Sequence, residues 1–178
     1  HDSVERYTGL GVDVQIGTAM ILDPWHVQIT KDDGSTSVLS TRSIVVATGA
    51  RPFVPPLPGI DEVGYRTSDT LWDLRELPRR LVVLGGGPIG CELAQAFARL
   101  GAQVTQIEML PRIMIREDEE VSAYARSALE ADGVTVLTGH KALRCGNDSG
   151  AGGCKWIEVE DAAAGGATRR ISFDLLLC

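Results

Sequence analysis

Gly85, Gly87 and Gly90 form a G-x-G-x-x-G in the stretch LVVLGGGPIGCELAQAFARLG, between an apolar run and an amphipathic one. The context weighs more than the spacing, because 20 glycines in 178 residues can produce the spacing by chance. With a strand before it and a helix after it, each glycine acquires a task. The first permits the tight turn, the second removes a Cβ where main chain must approach a pyrophosphate, and the third lets helix and strand pack closely. Pro88 suits the first helical position, where its missing N–H would have had no intrahelical partner. The free N–H groups and about half a positive charge at the helix start would then face phosphates, so the candidate cradle comprises Gly85, Gly86, Gly87, Pro88, Ile89 and Gly90.

Glu108 lies 18 residues beyond Gly90, at the end of the next apolar run, VTQIE. A carboxylate there can accept both hydroxyls of an adenosine ribose, each charged hydrogen bond contributing about 1.5–3 kcal/mol, and it would repel a 2′-phosphate. NAD is therefore favoured over NADP. Met109 and Arg112 follow as candidate nucleotide contacts, and Arg112 and Arg116 could hold a 2′-phosphate, which keeps NADP open. The plainer alternative is a tight turn followed by an unrelated strand-end carboxylate.

These residues need a parallel sheet to position them. LVVL (81–84), VTQIE (104–108) and VTVLT (134–138) read as strands. The first intervening helix has an apolar face of Ile89, Leu93, Ala96, Phe97 and Leu100 and ends at Gly101. The second opens with Glu117–Glu120 and carries Val121, Ala125, Ala128 and Leu129. Alternation of strand and helix at these lengths predicts right-handed crossovers. KWIEVE and RISFDLLLC, separated by DAAAGGAT, read as a β-meander, and GNDSGAGG (146–153) as a loop. Thr70 and Asp73 have the spacing of a capping box over a short helix.

The first third differs. VDVQIG, TAMILD, WHVQIT and SVLS read as strands, with a turn at Asp33–Gly34, and SIVVATG reads as a buried strand. The proline-rich RPFVPPLPGI after it must interrupt regular structure. The expected class is α/β: a Rossmann-like parallel sheet with crossover helices plus a β-meander, flanked by a β-rich segment.

Composition excludes other classes. Hydrophobic residues at 44% and charged residues at 23% fit a globular domain, and no apolar run approaches the roughly 20 residues of a membrane span. A net charge of −7 argues against nucleic-acid or anionic-membrane binding. The cysteines at 91, 145, 154 and 178 lack CxxC or zinc-site spacing, so no metal site is expected and reduced thiols in a cytoplasmic setting are. Cys91, on the first turn of a helix, could have a lowered pKa but reads as a packing residue. His1 where Met is usual, and Cys178 ending the run LLLC, suggest a segment of a longer protein.

TRSIVVATGARP, the linker ending LPGI, RTSD and LVVLGGGPIGCELAQAFARLGAQVTQIE together resemble the middle of a pyridine nucleotide-disulfide oxidoreductase. That family, which includes lipoamide dehydrogenase and mercuric reductase, uses FAD to take a hydride from NAD(P)H and reduce a disulfide or metal substrate. CELAQAFARLG leans toward the mercuric-reductase-like branch. The resemblance implies that residues 1–64 belong to an interrupted FAD domain, with Ala47, Thr48 and Gly49 ending the strand beside the flavin. It implies that residues 65–178 are the NAD(P)-binding domain and that the parent enzyme is a homodimer. Glu92 matches the glutamate that pairs with a flavin-side lysine near the nicotinamide, the one catalytic candidate. Pro88 stands where many relatives carry a gating tyrosine. The family's first dinucleotide fingerprint, its C-x-x-x-x-C pair and its catalytic His and Glu are not in this segment, and His1, His26 and His140 read as surface residues. A non-catalytic, stand-alone NAD-sensing module is the competing reading; a simple NAD dehydrogenase leaves the β-rich first third without a role.

Overall fold

A computed structural model describes residues 3–148 and 153–178. The chain forms two compact units, His1–Ala50 and Arg51–Cys178. The proline-rich linker packs with the second.

In the first unit, Ser3 caps a short helix, α1 (Val4–Gly9), its Oγ accepting from the Arg6 N–H at 3.2 Å. Six residues are too few to show a helical repeat, so nothing in the sequence predicts this helix. Strands β1 (Thr18–Asp23), β2 (His26–Thr30) and β3 (Thr36–Ser40) form an antiparallel meander. Asp33 Oδ1 accepts from the Ser35 N–H at 2.8 Å, and Gly34 takes φ +80°, which makes the turn expected there. VDVQIG and SIVVATG, expected as strands, are not strands. Val45 is 87% exposed and Val46 67%. A strand needs a neighbour for its N–H and C=O groups, and among the described residues no strand pairs with either segment.

In the second unit, the parallel sheet comprises β4 (Arg80–Leu84), β5 (Gln103–Glu108), β6 (Thr135–Thr138) and β10 (Leu175–Leu177), in the order β10-β4-β5-β6. Helices α3 (Pro88–Arg99) and α4 (Glu119–Ala131) cover one face. The short α2 (Ile60–Val63) and an antiparallel sheet of β7 (His140–Asn147), β8 (Lys155–Asp161) and β9 (Ala167–Phe173) cover the other. The two-residue period of β4 explains the layering: Leu81 and Val83 enter the helix-side core with Ala94 and Leu129, while Val82 enters the opposite core with Ile157 and Phe173. Each of these buried Leu, Val, Ile and Phe side chains contributes about 1.5–3 kcal/mol.

Several details differ from the sequence reading. RISFDLLLC is two strands in two sheets. At Asp174 the chain leaves the meander, held by its carboxylate accepting from Arg80 N at 2.9 Å and Arg80 Nη2 at 2.6 Å, and LLL pairs in parallel with β4. The α3 face is rotated: Ile89 is 60% and Leu100 68% exposed, and Cys91 and Ala94 are buried. Close approach at Gly90 turns the small residues inward, where a larger one would hold the helix off the sheet. Val121 of α4 is exposed, and Ser122 is buried, donating to Ile113 O at 2.7 Å. Leu71–Asp73 is a 3-10 turn without a side-chain cap. Gly146 and Asn147, expected in a loop, end β7; residues 149–152 of that loop lie outside the described residues. No helix among the described residues is long and apolar enough to cross a membrane.

Candidate functional site

The order β10-β4-β5-β6 places a reversal of chain progression between β4 and β10, and the crevice beyond the strands' carboxyl ends at such a point is where open α/β sheets take ligands. Gly85–Gly90 occupies that place, leading from β4 into α3. Gly85 adopts φ +109°, a conformation open to glycine and costly for other residues, and its N–H donates to Ile107 O at 2.8 Å. A Cβ on Gly90 would lie 2.5 Å from the Gly85 carbonyl oxygen, so this glycine brings α3 against the turn. A Cβ on Gly87 would meet nothing within 4 Å. Open space thus lies above Gly87, next to helix N–H groups of Ile89 and Gly90 that have no carbonyl four residues back within the helix.

Gly86, an unspecified position of the motif, is also closely packed. A Cβ there would stand 2.8 Å from Ile113 Cγ2 and 3.0 Å from Glu108 Oε2. Its N–H donates to Glu108 Oε2 at 2.6 Å, and Leu110 N–H donates to Oε1 at 2.7 Å. The carboxylate is therefore fixed by main chain at the end of β5, and each oxygen keeps a lone pair for a further donor. Sequence reasoning missed Gln106, fully buried in β5, whose Nε2 donates to Gly85 O at 3.0 Å and holds the turn from below. A polar residue inside a strand buried on both faces was the available signal. Its Oε1 has no hydrogen-bond partner among the described residues.

Two clefts flank the start of α3. One of about 270 Å³, on the β10 side, is lined by Val83, Gly85, Gly87, Ile89, Gly90 and Leu177. The other, of about 470 Å³, is lined by Gly86, Gly87, Glu108, Met114 and Arg116. Pro88 borders both. An apolar cavity of about 390 Å³ beyond β5 is lined by Glu108, Met109, Leu57 and His140. This cradle, with its paired clefts and placed carboxylate, fits a dinucleotide.

Other candidates are placed differently. Arg112 donates to the carbonyls of Met114, Ile115 and Glu117 at 3.2, 3.0 and 2.9 Å. Glu92 is exposed on α3 and borders the groove toward Tyr124 of α4. Ala47, Thr48 and Gly49 are exposed in the first unit, Gly49 at φ +73°. Cys91 is buried, and burial raises its pKa; Gln106 opposes the shift by a hydrogen bond, and the charges of Glu108 and Glu92 add to it. It is a packing residue, and the helix terminus does not activate it. His140, expected at the surface, is 8% exposed, with Nδ1 2.8 Å from Thr138 O and Nε2 3.4 Å from Arg169. The meander closes over it. Among the described residues no group of three or more metal-ligating side chains stands together.

The family model described as "Pyridine nucleotide-disulphide oxidoreductase" matches residues 2–178. A mercuric reductase of Streptomyces lividans is 38% identical over 138 residues, 75% of this chain and 29% of that protein. A dihydrolipoyl dehydrogenase of Chlorobaculum tepidum is 38% identical over 132 residues, 73% of this chain and 28% of that protein. Among solved structures, the HOCl-induced flavoprotein disulfide reductase RclA of Escherichia coli superposes with a TM-score of 0.65 at 28% identity, covering 93% of this chain and 35% of that one. The chain thus spans about three-tenths of the length of these curated relatives.

Proposed function

The chain belongs to the pyridine nucleotide-disulphide oxidoreductase family, and from that premise we propose that it is the NAD(P)H-binding portion of an FAD-dependent oxidoreductase. In this reading residues 65–178 form the nucleotide-binding domain and residues 1–64 contribute to the FAD domain of a homodimeric parent enzyme. The parent would pass electrons to a disulfide or metal acceptor. In the parent enzyme the bound reduced nicotinamide would be the hydride donor and the flavin the acceptor.

This chain's own residues do the binding and aiming. The pyrophosphate would sit over Gly87, held by first-turn N–H groups of α3 and the positive end of its dipole. The larger cleft would take the adenosine half, with both ribose hydroxyls donating to Glu108. The β10-side cleft would take the nicotinamide half, with Ile89 and Leu177 excluding water from one face. Glu92 would act where the intact enzyme brings a flavin-side lysine to the first turn of α3.

The single observation behind this reading is the conjunction at one strand end: open space above Gly87 beside a carboxylate fixed by Gly86 and Leu110. Calorimetric titration should show tighter binding of NADH than of NADPH, with Glu108→Ala narrowing the gap. Tighter binding of NADPH would overturn the NAD preference. Binding of neither would overturn the site.

A further inference from the structure

The loop from Met109 to Asp118 walls the larger cleft, and its shape is unusual. Met114 takes φ +49°, the left-handed region that a residue with a side chain rarely enters. Its N–H donates to Gly86 O at 2.6 Å, so the loop is joined to the glycine turn. Ile113, 1% exposed, packs its Cγ2 where a Cβ on Gly86 would be, and its carbonyl accepts from Ser122 Oγ. One group ties together the carbonyls that this turn leaves without helix or sheet partners. Arg112 Nη1 reaches Met114 O and Glu117 O, and Nη2 reaches Ile115 O. Arg116, four residues on, borders the cleft and has no hydrogen bond or ion pair among the described residues.

We propose that Arg112 is a positioning residue: it locks residues 113–117 in the conformation that keeps the adenosine cleft open and the Gly86–Glu108 contact in register, leaving Arg116 as the cation that meets the nucleotide. This rests on the nucleotide-binding reading above. A planar guanidinium suits the task, because one rigid fork satisfies three diverging carbonyls and an ammonium is a single point of charge. Three of the five N–H donors of Arg112 are engaged by main chain, which commits its guanidinium to the loop. Strain held by surrounding contacts is characteristic of loops that shape sites.

The test uses the 178-residue chain with Arg112→Ala, Arg112→Lys and Arg116→Ala, titrated with NADH and NADPH and followed by hydrogen exchange. Arg112→Ala should weaken both nucleotides, NADH by a factor on the order of tenfold. It should also speed amide exchange at Gly86 and across 110–117. Millimolar guanidinium should restore part of the affinity of Arg112→Ala, and Arg112→Lys should fall short of wild type. Arg116→Ala should weaken NADPH more than NADH and leave exchange unchanged. Weaker NADPH binding with NADH affinity unchanged in Arg112→Ala would make Arg112 a phosphate ligand and overturn the proposal, as would unchanged exchange. If the unsubstituted chain binds neither nucleotide, the nucleotide reading fails, and faster exchange in Arg112→Ala still supports the lock while unchanged exchange overturns it.

Discussion

Gly87→Ala separates the fold's requirements from the ligand's. Gly87 has φ −74° and ψ 173°, which alanine adopts without strain, and its added Cβ would meet nothing within 4 Å. Replacing glycine at such a position reduces the freedom of the unfolded chain and stabilises by about 0.4–1 kcal/mol. For a chain of this size that raises the thermal midpoint by roughly 1–4 °C. The same methyl group would stand in the space assigned to the pyrophosphate. Pushing the phosphates outward removes at least one charged hydrogen bond of about 1.5–3 kcal/mol, a loss of roughly ten- to hundredfold in affinity. Differential scanning calorimetry and NADH titration on the same preparation should therefore move in opposite directions. An alanine variant that melts higher and still binds NADH as tightly as the parent would refute the cradle. One that melts several degrees lower would refute the geometry assigned to the turn.

Gly86→Ala should behave the opposite way, losing about 1–3 kcal/mol of stability because its Cβ runs into Ile113 and Glu108; urea unfolding that matches the parent would contradict the packing described. Burial pushes the Cys145 thiol up to about 11 and the Cys178 thiol up to about 12. Groups with raised folded pKa values stabilise fully below the unfolded value, about 8.5, and lose that contribution as pH rises through the folded ones. The urea midpoint should then fall between pH 9 and 11, as read from those shifts, and less steeply when both are replaced by Ala. Equal slopes would show that the thiols are not responsible. Because Ala47–Gly49 stand exposed, the purified chain should carry no yellow absorbance near that of flavin; stoichiometric flavin would show that it holds FAD unaided.

Local features were legible where short-range chemistry decides them. The strand–glycine–helix turn, the carboxylate at the end of β5 and the Asp33–Gly34 hairpin each depend on a few consecutive residues, and each stands where the motif places it. Periodicity sufficed for the existence of α3 and α4 but not for their orientation. The size of Ile89 and Leu100 suggested the buried face, and the approach of Gly90 to Gly85 chose Cys91 and Ala94 instead. The type and position of Arg112 make it a candidate nucleotide contact. Only the path of the loop brings three main-chain carbonyls to its guanidinium.

By itself the sequence determined that main chain free of side chains would lie at the mouth of a helix, since glycine spacing, the proline at the first helical position and the flanking apolar runs all act within about one turn of the chain. Tertiary structure decided what surrounds that mouth. Residues more than a dozen positions apart, such as Gly86 with Glu108, Gln106 with Gly85 and Asp174 with Arg80, meet only once the parallel sheet brings β4, β5 and β10 side by side. The same cause separates SIVVATG from its expected place. Its apolar residues ask for a sheet, but a strand exists only where a neighbour supplies the other half of its hydrogen bonds.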